Sequence, residues 1–236
     1  MAPPKRVAIV TGGTGYLGSS VCKAFAETGA AVVGVYVLDR ELPYFRRTLG
    51  RQAGKVTLLK ADVTRAGDMD RVAKDVLRRF GRIDVLVNTV GGYMSGPVSE
   101  ATGEDFDRAM GLNLKSAFLS CKAVLPAMRK ARRGKIVSVS SESSLLGDAE
   151  SFLYSASKSG VNRLTESLAR ELKPANVNVN CVMPRIMDTP ANRKAMPNAK
   201  HERWVKPENI ARTIAYLCSD LCSVTSGGVI PVYGRA

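Results

Sequence analysis

The chain has 236 residues, of which 45% are hydrophobic, and its 35 Lys and Arg against 21 Asp and Glu give a net charge of +14. This length suits one α/β domain, and no apolar run approaches the roughly 20 residues needed to span a bilayer. The amino terminus lacks the basic, apolar and small-residue pattern of a secretory signal. We therefore expect a cytoplasmic protein with no membrane partner.

The positive charge and the cysteines do not indicate a nucleic-acid or metal site. The densest basic run is MRKARRGK at 128–135, but aromatic residues make up only 6% of the chain and no nucleic-acid-binding module is recognisable. The five cysteines form no C-x-x-C pair, and His201 is the only histidine. Because zinc sites need closely spaced Cys and His ligands, we predict no metal.

Short β-branched runs alternate with helical stretches along the chain. The strand candidates lie at 6–11, 31–37, 55–60, 84–90, 135–140, 177–183 and 227–232. They are nearly continuous apolar runs, which is typical of strands covered on both faces. Between them, apolar residues recur at helical spacing, for example at Val161, Leu164, Leu168 and Leu172. The alternation predicts a doubly wound, seven-stranded parallel sheet with helices on both faces.

The first predicted strand is followed by TGGTGYLGSS at 11–20, which closes a strand and opens a helix. In this context Gly12 and Gly15 allow a tight turn with close backbone approach, and Gly18 lets the helix pack on the strand. The N-terminus of the helix presents free N–H groups to an anion. The motif therefore predicts dinucleotide binding in a Rossmann-type three-layer α/β sandwich. We expect this sandwich to form a single domain over residues 1–236.

The stretch FLYSASKSG at 152–160 places Tyr154 and Lys158 four residues apart in a predicted helix. Residues at this spacing share one helical face. A phenol has a pKa of about 10, and a neighbouring ammonium lowers it by favouring the phenolate. The pair is a candidate general acid/base, although the pattern alone also fits an ordinary helix surface.

Taken in order, the motifs resemble the short-chain dehydrogenase/reductase family over essentially the whole chain. The matching pieces are TGGTGYLG, ADV at 61–63, NTVGG at 88–92, Asn113 in GLNLKSAF, Ser141 in SVSSESS, and Tyr154 with Lys158. The resemblance implies that Tyr154 is the general acid/base and that Lys158 lowers its pKa and binds the nicotinamide ribose. It also implies that Ser141, or else Ser140, stabilises the oxyanion and that Asn113 holds a water of the proton relay.

The resemblance further implies a cofactor site at the glycine turn, the ends of several strands and the segment after the sixth strand. Its residues would be Gly12, Thr14, Gly15, Tyr16, Leu17, Gly18, Tyr36, Asp39, Arg40, Asp62, Val63, Asn88, Thr89, Val90, Gly91, Tyr154, Lys158, Pro184, Ile186 and Thr189. Enzymes of this type that use NAD usually carry an acidic residue where this chain has Tyr36. Arg40, Arg46 or Arg47 could pair with a 2′-phosphate, so we favour NADP(H) over NAD(H). If Asp39 is the ribose ligand, the preference reverses.

The chain departs from the pattern of the family in three motifs. Tyr16 stands in place of the second glycine of TGxxxGxG, Thr89 and Val90 interrupt the usual NNAG, and Arg185 replaces the glycine that usually follows Pro184. These changes leave open the path of the pyrophosphate loop, the adenosine contacts and the role of Arg185 at the mouth of the substrate pocket.

Most of the chain resembles bacterial 3-oxoacyl-ACP reductases, whereas VGGY at 90–93 and the segment 188–204 are similar to quinonoid dihydropteridine reductases. The first likeness implies an NAD(P)(H)-dependent oxidoreductase that reduces a carbonyl, either a 3-oxoacyl group on an acyl carrier or a small ketone. Dihydropteridine reduction is the enzymatic alternative, and a dinucleotide-sensing or nucleic-acid-binding protein is the non-enzymatic one. The resemblance also implies a homodimer or homotetramer formed through helices around 103–130 and 154–172.

Overall fold

The computed structural model describes residues 6–147 and 149–235, and these residues form a seven-stranded sheet. Its strands are β1 (Val7–Thr11), β2 (Ala31–Tyr36), β3 (Val56–Lys60), β4 (Val85–Asn88), β5 (Gly134–Val139), β6 (Val177–Pro184) and β7 (Val229–Val232). They lie in the order β3-β2-β1-β4-β5-β6-β7, and all neighbouring pairs are parallel. The predicted parallel sheet is confirmed, and every strand boundary lies within two residues of its predicted position.

Helices cover both faces of this sheet, as the sequence predicts. The described helices are α1 (Tyr16–Glu27), α2 (Leu42–Leu49), α3 (Ala66–Phe80), α4 (Gly103–Met110), α5 (Ser116–Ala131), α6 (Phe152–Leu172), α7 (Pro190–Ala195) and α8 (Pro207–Leu217). Among these residues no helix combines the length and the apolar character that a membrane crossing requires. The three-layer, single-domain sandwich of the prediction is therefore present.

Two hydrophobic clusters join the layers, and they explain the continuous apolar runs in the strands. Ala8 and Val10 of β1 belong to the cluster beneath α1, α2 and α8, whereas Val7 and Ile9 belong to the cluster beneath α3, α5 and α6. Side chains of a strand point alternately to the two faces, so both faces of β1 must be apolar. Burying each such Val or Ile stabilises the fold by about 1.5–3 kcal/mol.

The path from α4 to α5 contains a π-helical turn at Gly111–Lys115. A capping box between Thr102 and Asp105 starts α4, and α5 follows the π turn directly at Ser116. Such turns are rare and are often found at functional sites. In this protein the turn contains Asn113, whose side chain is buried and hydrogen-bonded to the loop after β4.

The order of the strands reverses at β1, which has β2 on one side and β4 on the other. In doubly wound folds, ligands bind in the crevice at the carboxyl ends of the strands beside such a reversal. The glycine turn at the end of β1 and the loop at the end of β4 therefore meet where a dinucleotide site is expected.

Candidate active site

A cleft of about 460 Å³ opens at this reversal point, between the glycine turn, the carboxyl ends of β2 to β4 and the start of α7. Many of the predicted cofactor residues line it, namely Gly12, Gly15, Tyr16, Leu17, Gly18, Tyr36, Asp62, Val63, Thr89, Val90, Gly91 and Thr189. The structure therefore brings together residues that are distant in the sequence. Their roles in binding a cofactor remain predictions.

The glycine turn has the close packing that the motif predicts. Gly12 adopts a positive φ of 63°, and the Gly15 N–H donates to the Gly12 carbonyl at 3.0 Å. A Cβ on Gly18 would lie 1.9 Å from that same carbonyl oxygen, so only glycine fits there. No side chain caps the N-terminus of α1, so its N–H groups are left for an anion. The turn therefore suits a pyrophosphate, and Tyr16 instead packs edge-on against Tyr44.

Several predicted cofactor residues do not line the cleft. Asp39 is exposed and forms an ion pair with Lys60 of β3, and Arg40 is exposed outside the cleft. Thr14 is fully buried, and its hydroxyl donates to the Glu41 carboxylate at 2.5 Å. The side chains after β2 that the sequence offers as cofactor determinants, Asp39, Arg40, Arg46 and Arg47, are thus outside the cleft.

The other predicted positions outside the cleft support its floor and rim. Asn88 is buried in the sheet and donates to the Ser138 hydroxyl at 3.1 Å. Pro184 is the last residue of β6, and the Ile186 carbonyl accepts the Val205 N–H at 3.2 Å. These residues hold the strand ends and the segment after β6 in place.

The predicted catalytic residues converge beside the cleft. Tyr154 lies in the first turn of α6, one turn before Lys158, whose Nζ is 5.8 Å from the centre of the phenol ring. Ser141 follows β5, and its side chain lies close enough to the Tyr154 phenol to lower the pKa of the phenol. A Cβ on Gly91 would lie 2.8 Å from Lys158 Nζ, so the ammonium borders the cleft at Gly91.

Burial determines the protonation of this pair in the ligand-free protein. It raises the pKa of the Tyr154 phenol, and the nearby Ser141 side chain only partly opposes this effect. Burial also lowers the pKa of Lys158 from 10.5 to about 8. The sequence predicts that Lys158 lowers the pKa of Tyr154. In the structure the net change has the opposite direction, because both side chains lose solvation.

Ser141 rather than Ser140 lies against the phenol, which favours Ser141 of the two serines that the sequence left open. The Ser140 hydroxyl is buried and donates to the Lys158 carbonyl at 3.1 Å. Its backbone N–H donates to Val182 of β6 at 2.8 Å. Ser140 therefore ties β5 to α6 and β6, while Ser141 Oγ accepts the Ser143 N–H at 3.3 Å and lies on the side of the phenol.

Asn113 and Lys158 bring buried polar groups to the loop after β4, at Gly91 and Gly92. Asn113 Oδ1 accepts the Gly92 N–H at 3.0 Å, and Asn113 Nδ2 donates to the Gly92 carbonyl at 3.1 Å. Lys158 Nζ donates to the Val139 carbonyl at 2.9 Å. Since an ammonium has three N–H donors, Lys158 retains hydrogen-bonding capacity for a ribose hydroxyl. The residues present thus fit a nicotinamide ribose at the Gly91 end of the cleft.

The sequence analysis overlooked Glu41 and Glu142 and assigned no role to Tyr93. Glu41 lines the cleft, and Tyr93 packs edge-on against Tyr154 with ring centres 5.1 Å apart. Glu142 pairs with Arg185 at 2.9 Å, so the residue in place of the usual glycine forms a salt bridge next to Ser141. Glu41 could have been noticed as a second acidic residue after β2, but its orientation could not.

A larger cavity of about 660 Å³ lies elsewhere, between the end of α6 and the start of β6. It is lined by polar surface side chains such as Lys173 and Asn178. Since ligands of doubly wound sheets bind at the carboxyl ends of the strands, this opposite edge is not the candidate site.

Comparison with known proteins agrees with this geometry. A sequence model described as short chain dehydrogenase matches residues 6–200. The chain belongs to the short-chain dehydrogenase/reductase family. The resemblance that the motifs indicate is thus confirmed, and the protein is an oxidoreductase that acts on CH–OH or C=O groups, as the relatives below are by name.

Two relatives and one solved structure illustrate the range of this family. The chain is 33% identical over 237 residues to a 3-oxoacyl-[acyl-carrier-protein] reductase of Thermotoga maritima, covering 97% of this chain and 96% of that protein. It is 31% identical over 242 residues to a cyclopentanol dehydrogenase of Comamonas, with the same coverage. Levodione reductase shares 27% identity and a TM-score of 0.90, covering 98% of this chain and 97% of that one.

Proposed function

We propose that the protein reduces a ketone to a secondary alcohol with a nicotinamide dinucleotide. In this reaction Tyr154 is the proton donor. The observation that carries this proposal is that Tyr154, Ser141 and the buried Lys158 lie together at one end of the cleft. A phenol in this position can protonate an oxygen that Ser141 also binds, which is general acid catalysis.

Each residue has a physical task in this proposal. The bound nicotinamide supplies the hydride. Ser141 donates to the substrate oxygen and stabilises the developing negative charge. Lys158 would bind the ribose, and its positive charge would favour the phenolate form of Tyr154 after proton transfer. Asn113 holds the Gly92 backbone in place, so that the ammonium and the cleft wall keep their positions.

For the substrate we propose a 3-oxoacyl group on an acyl carrier, with a small ketone as the second possibility. The name of the Thermotoga maritima relative supports the first and that of the Comamonas relative the second. An acidic carrier fits the basic end of α5, where Lys130, Arg132 and Arg133 are exposed. The pterin and non-enzyme alternatives gain no support from these relatives.

The cofactor is a nicotinamide dinucleotide in this proposal, but the structure weakens the argument for NADP(H). That argument needs a cation beside Tyr36, yet none of Arg40, Arg46 and Arg47 lines the cleft. Arg47 instead lies 6.0 Å from the ring centre of Tyr44. The choice between NAD(H) and NADP(H) therefore depends on Glu41, the charged residue after β2 that lines the cleft.

We also propose a homodimer or homotetramer in the cytoplasm. Phe106, Phe118 and Phe152 are each about half exposed, on α4, α5 and α6 respectively. Apolar side chains exposed on neighbouring helices are typical of subunit interfaces. This location agrees with the helices that the family resemblance implies.

The Tyr154→Phe variant tests the proposal. Because a positioned general acid contributes about 10²–10⁴-fold to the rate, turnover of a ketone should fall by that factor. Dinucleotide binding, followed by the fluorescence of the reduced nicotinamide, should stay within about threefold of wild type, a change of less than 1.4 kcal/mol. Tyr216→Phe, which removes a hydroxyl from an exposed tyrosine on α8, is the matched control. Near-normal turnover in Tyr154→Phe would remove Tyr154 as the acid.

A further inference from the structure

The end of the cleft beside β2 carries an unexpected acidic group. Glu41 closes the short 3-10 turn Asp39–Glu41 that follows β2, and it lines the cleft together with Tyr36, Val37 and Leu38. Its Oε2 accepts a hydrogen bond from the Thr14 hydroxyl at 2.5 Å, and this bond joins the segment after β2 to the glycine turn. This carboxylate therefore spans the two segments between which the adenosine half of a dinucleotide is held in this fold.

The charged side chains that line this end of the cleft are acidic, and one of them, Asp62, pairs with Arg65 at 3.4 Å. The acidic residues among those that line it are Glu41 and Asp62, and the described residues contribute no Lys or Arg to the lining. Asp62 accepts from the Thr64 N–H and hydroxyl, so its Oδ1 is already engaged. Asp39, the other acid of the turn, is paired with Lys60 outside the cleft. Glu41 is thus the acid available to a ligand after β2.

Thr14 holds this carboxylate in a defined position. The Thr14 side chain is fully buried, and its hydroxyl is the donor, so the hydrogen bond fixes one carboxylate oxygen of Glu41. The described residues provide no hydrogen-bond donor for the other oxygen, Oε1. A carboxylate fixed in this way can accept a hydroxyl of the ribose, whereas it repels a phosphate on the same carbon.

We propose that Glu41 binds the adenosine ribose and makes this enzyme select NAD(H) over NADP(H). The proposal rests on the proposed function, since it concerns the cofactor of that same site. It assigns the choice of cofactor to Glu41, which lies five positions after the uncharged Tyr36 at the end of β2. Thr14 acts as the positioning residue for Glu41.

Binding titrations of the full-length protein with NADH and NADPH test this assignment. Wild type should bind NADH at least about tenfold more tightly, equivalent to about 1.4 kcal/mol. Glu41→Gln keeps an oxygen that can accept from Thr14 but removes the charge. The dissociation constant of NADPH divided by that of NADH should therefore fall by about tenfold, mainly because NADPH binds more tightly.

Asp39→Asn is the matched control, because it removes the same charge from the same turn but outside the cleft. The ratio should stay within about threefold of wild type in this variant. If Glu41 only stabilised the fold, Glu41→Gln would lower the melting temperature and weaken both cofactors equally, without changing the ratio.

The outcomes separate this proposal from the proposed function. Tighter binding of NADPH than NADH by wild type overturns the role of Glu41, as does an unchanged ratio in Glu41→Gln while both dinucleotides still bind. An equal change of the ratio in Asp39→Asn also overturns it, since the effect would then come from overall charge. Binding of neither dinucleotide to wild type overturns the proposed function and this assignment together.

Discussion

The Lys158→Met variant should make the folding stability of this protein less dependent on pH. Lys158 is 4% exposed, and its burial lowers its pKa from 10.5 to about 8. Each pKa unit corresponds to about 1.4 kcal/mol, so the charged form is destabilised in the folded state by roughly 3 kcal/mol. Methionine has a similar shape and carries no charge, so it avoids this cost.

The direction of the effect follows from proton binding. At a pH below the folded value of about 8, Lys158 is charged in both states and the folded state bears the full cost. Between that value and 10.5 the Lys158 side chain binds more protons in the unfolded than in the folded state, so its contribution to the free energy of unfolding rises with pH. From about pH 7 to about pH 10, wild type should gain roughly 2–3 kcal/mol relative to Lys158→Met.

Urea unfolding without dinucleotide at these two pH values measures the difference. Both proteins carry the same five buried cysteines, and the titration of all but Cys181, which interacts with Lys158, cancels in the comparison. Lys173→Met removes an exposed lysine just after the same helix and controls for the loss of one charge. A difference between wild type and Lys158→Met that is the same at both pH values would refute the argument from burial.

Two further predictions concern the glycine turn and the π turn. Gly18→Ala places a Cβ 1.9 Å from the Gly12 carbonyl oxygen, so it should lower stability by about 1–3 kcal/mol and abolish dinucleotide binding. Gly54→Ala, with nothing within 4 Å of the added Cβ, should do neither in the same unfolding and titration assays. Asn113→Ala removes both hydrogen bonds to Gly92 and should cost about 1–3 kcal/mol in urea unfolding. Turnover should fall together with stability in Asn113→Ala. Unchanged stability would show that the Gly92 backbone does not need its hydrogen bonds to Asn113.

The sheet and the proximity of Tyr154 and Lys158 could be predicted because each follows from local sequence. The strand runs are apolar on both faces, and β1 shows the reason, since Val7 and Ile9 enter one cluster and Ala8 and Val10 the other. Tyr154 and Lys158 lie one helical turn apart, so their shared face follows from spacing alone. The family pattern then supplied Ser141, and the structure places its side chain against Tyr154.

The direction of side chains after β2 could not be predicted. Asp39 and Glu41 lie two residues apart in one short turn, and only the fold shows that Asp39 meets Lys60 while Glu41 meets Thr14. The protonation of Tyr154 depends on burial in the same way. Lys158 is close to Tyr154 as expected, but desolvation of the phenol is a property of the packed site and not of the spacing.

The π turn at Gly111–Lys115 takes up one extra residue between α4 and α5. One residue advances an α-helix by roughly 100° around its axis. Because the wider turn absorbs the extra residue, α5 keeps the rotation that a regular helix without this residue would have. The buried side of α5, which includes Cys121 and Val124, therefore still faces the sheet. Deleting one residue from the turn should thus leave α5 in place, whereas deleting one residue at the start of α5 would turn its later side chains by that angle.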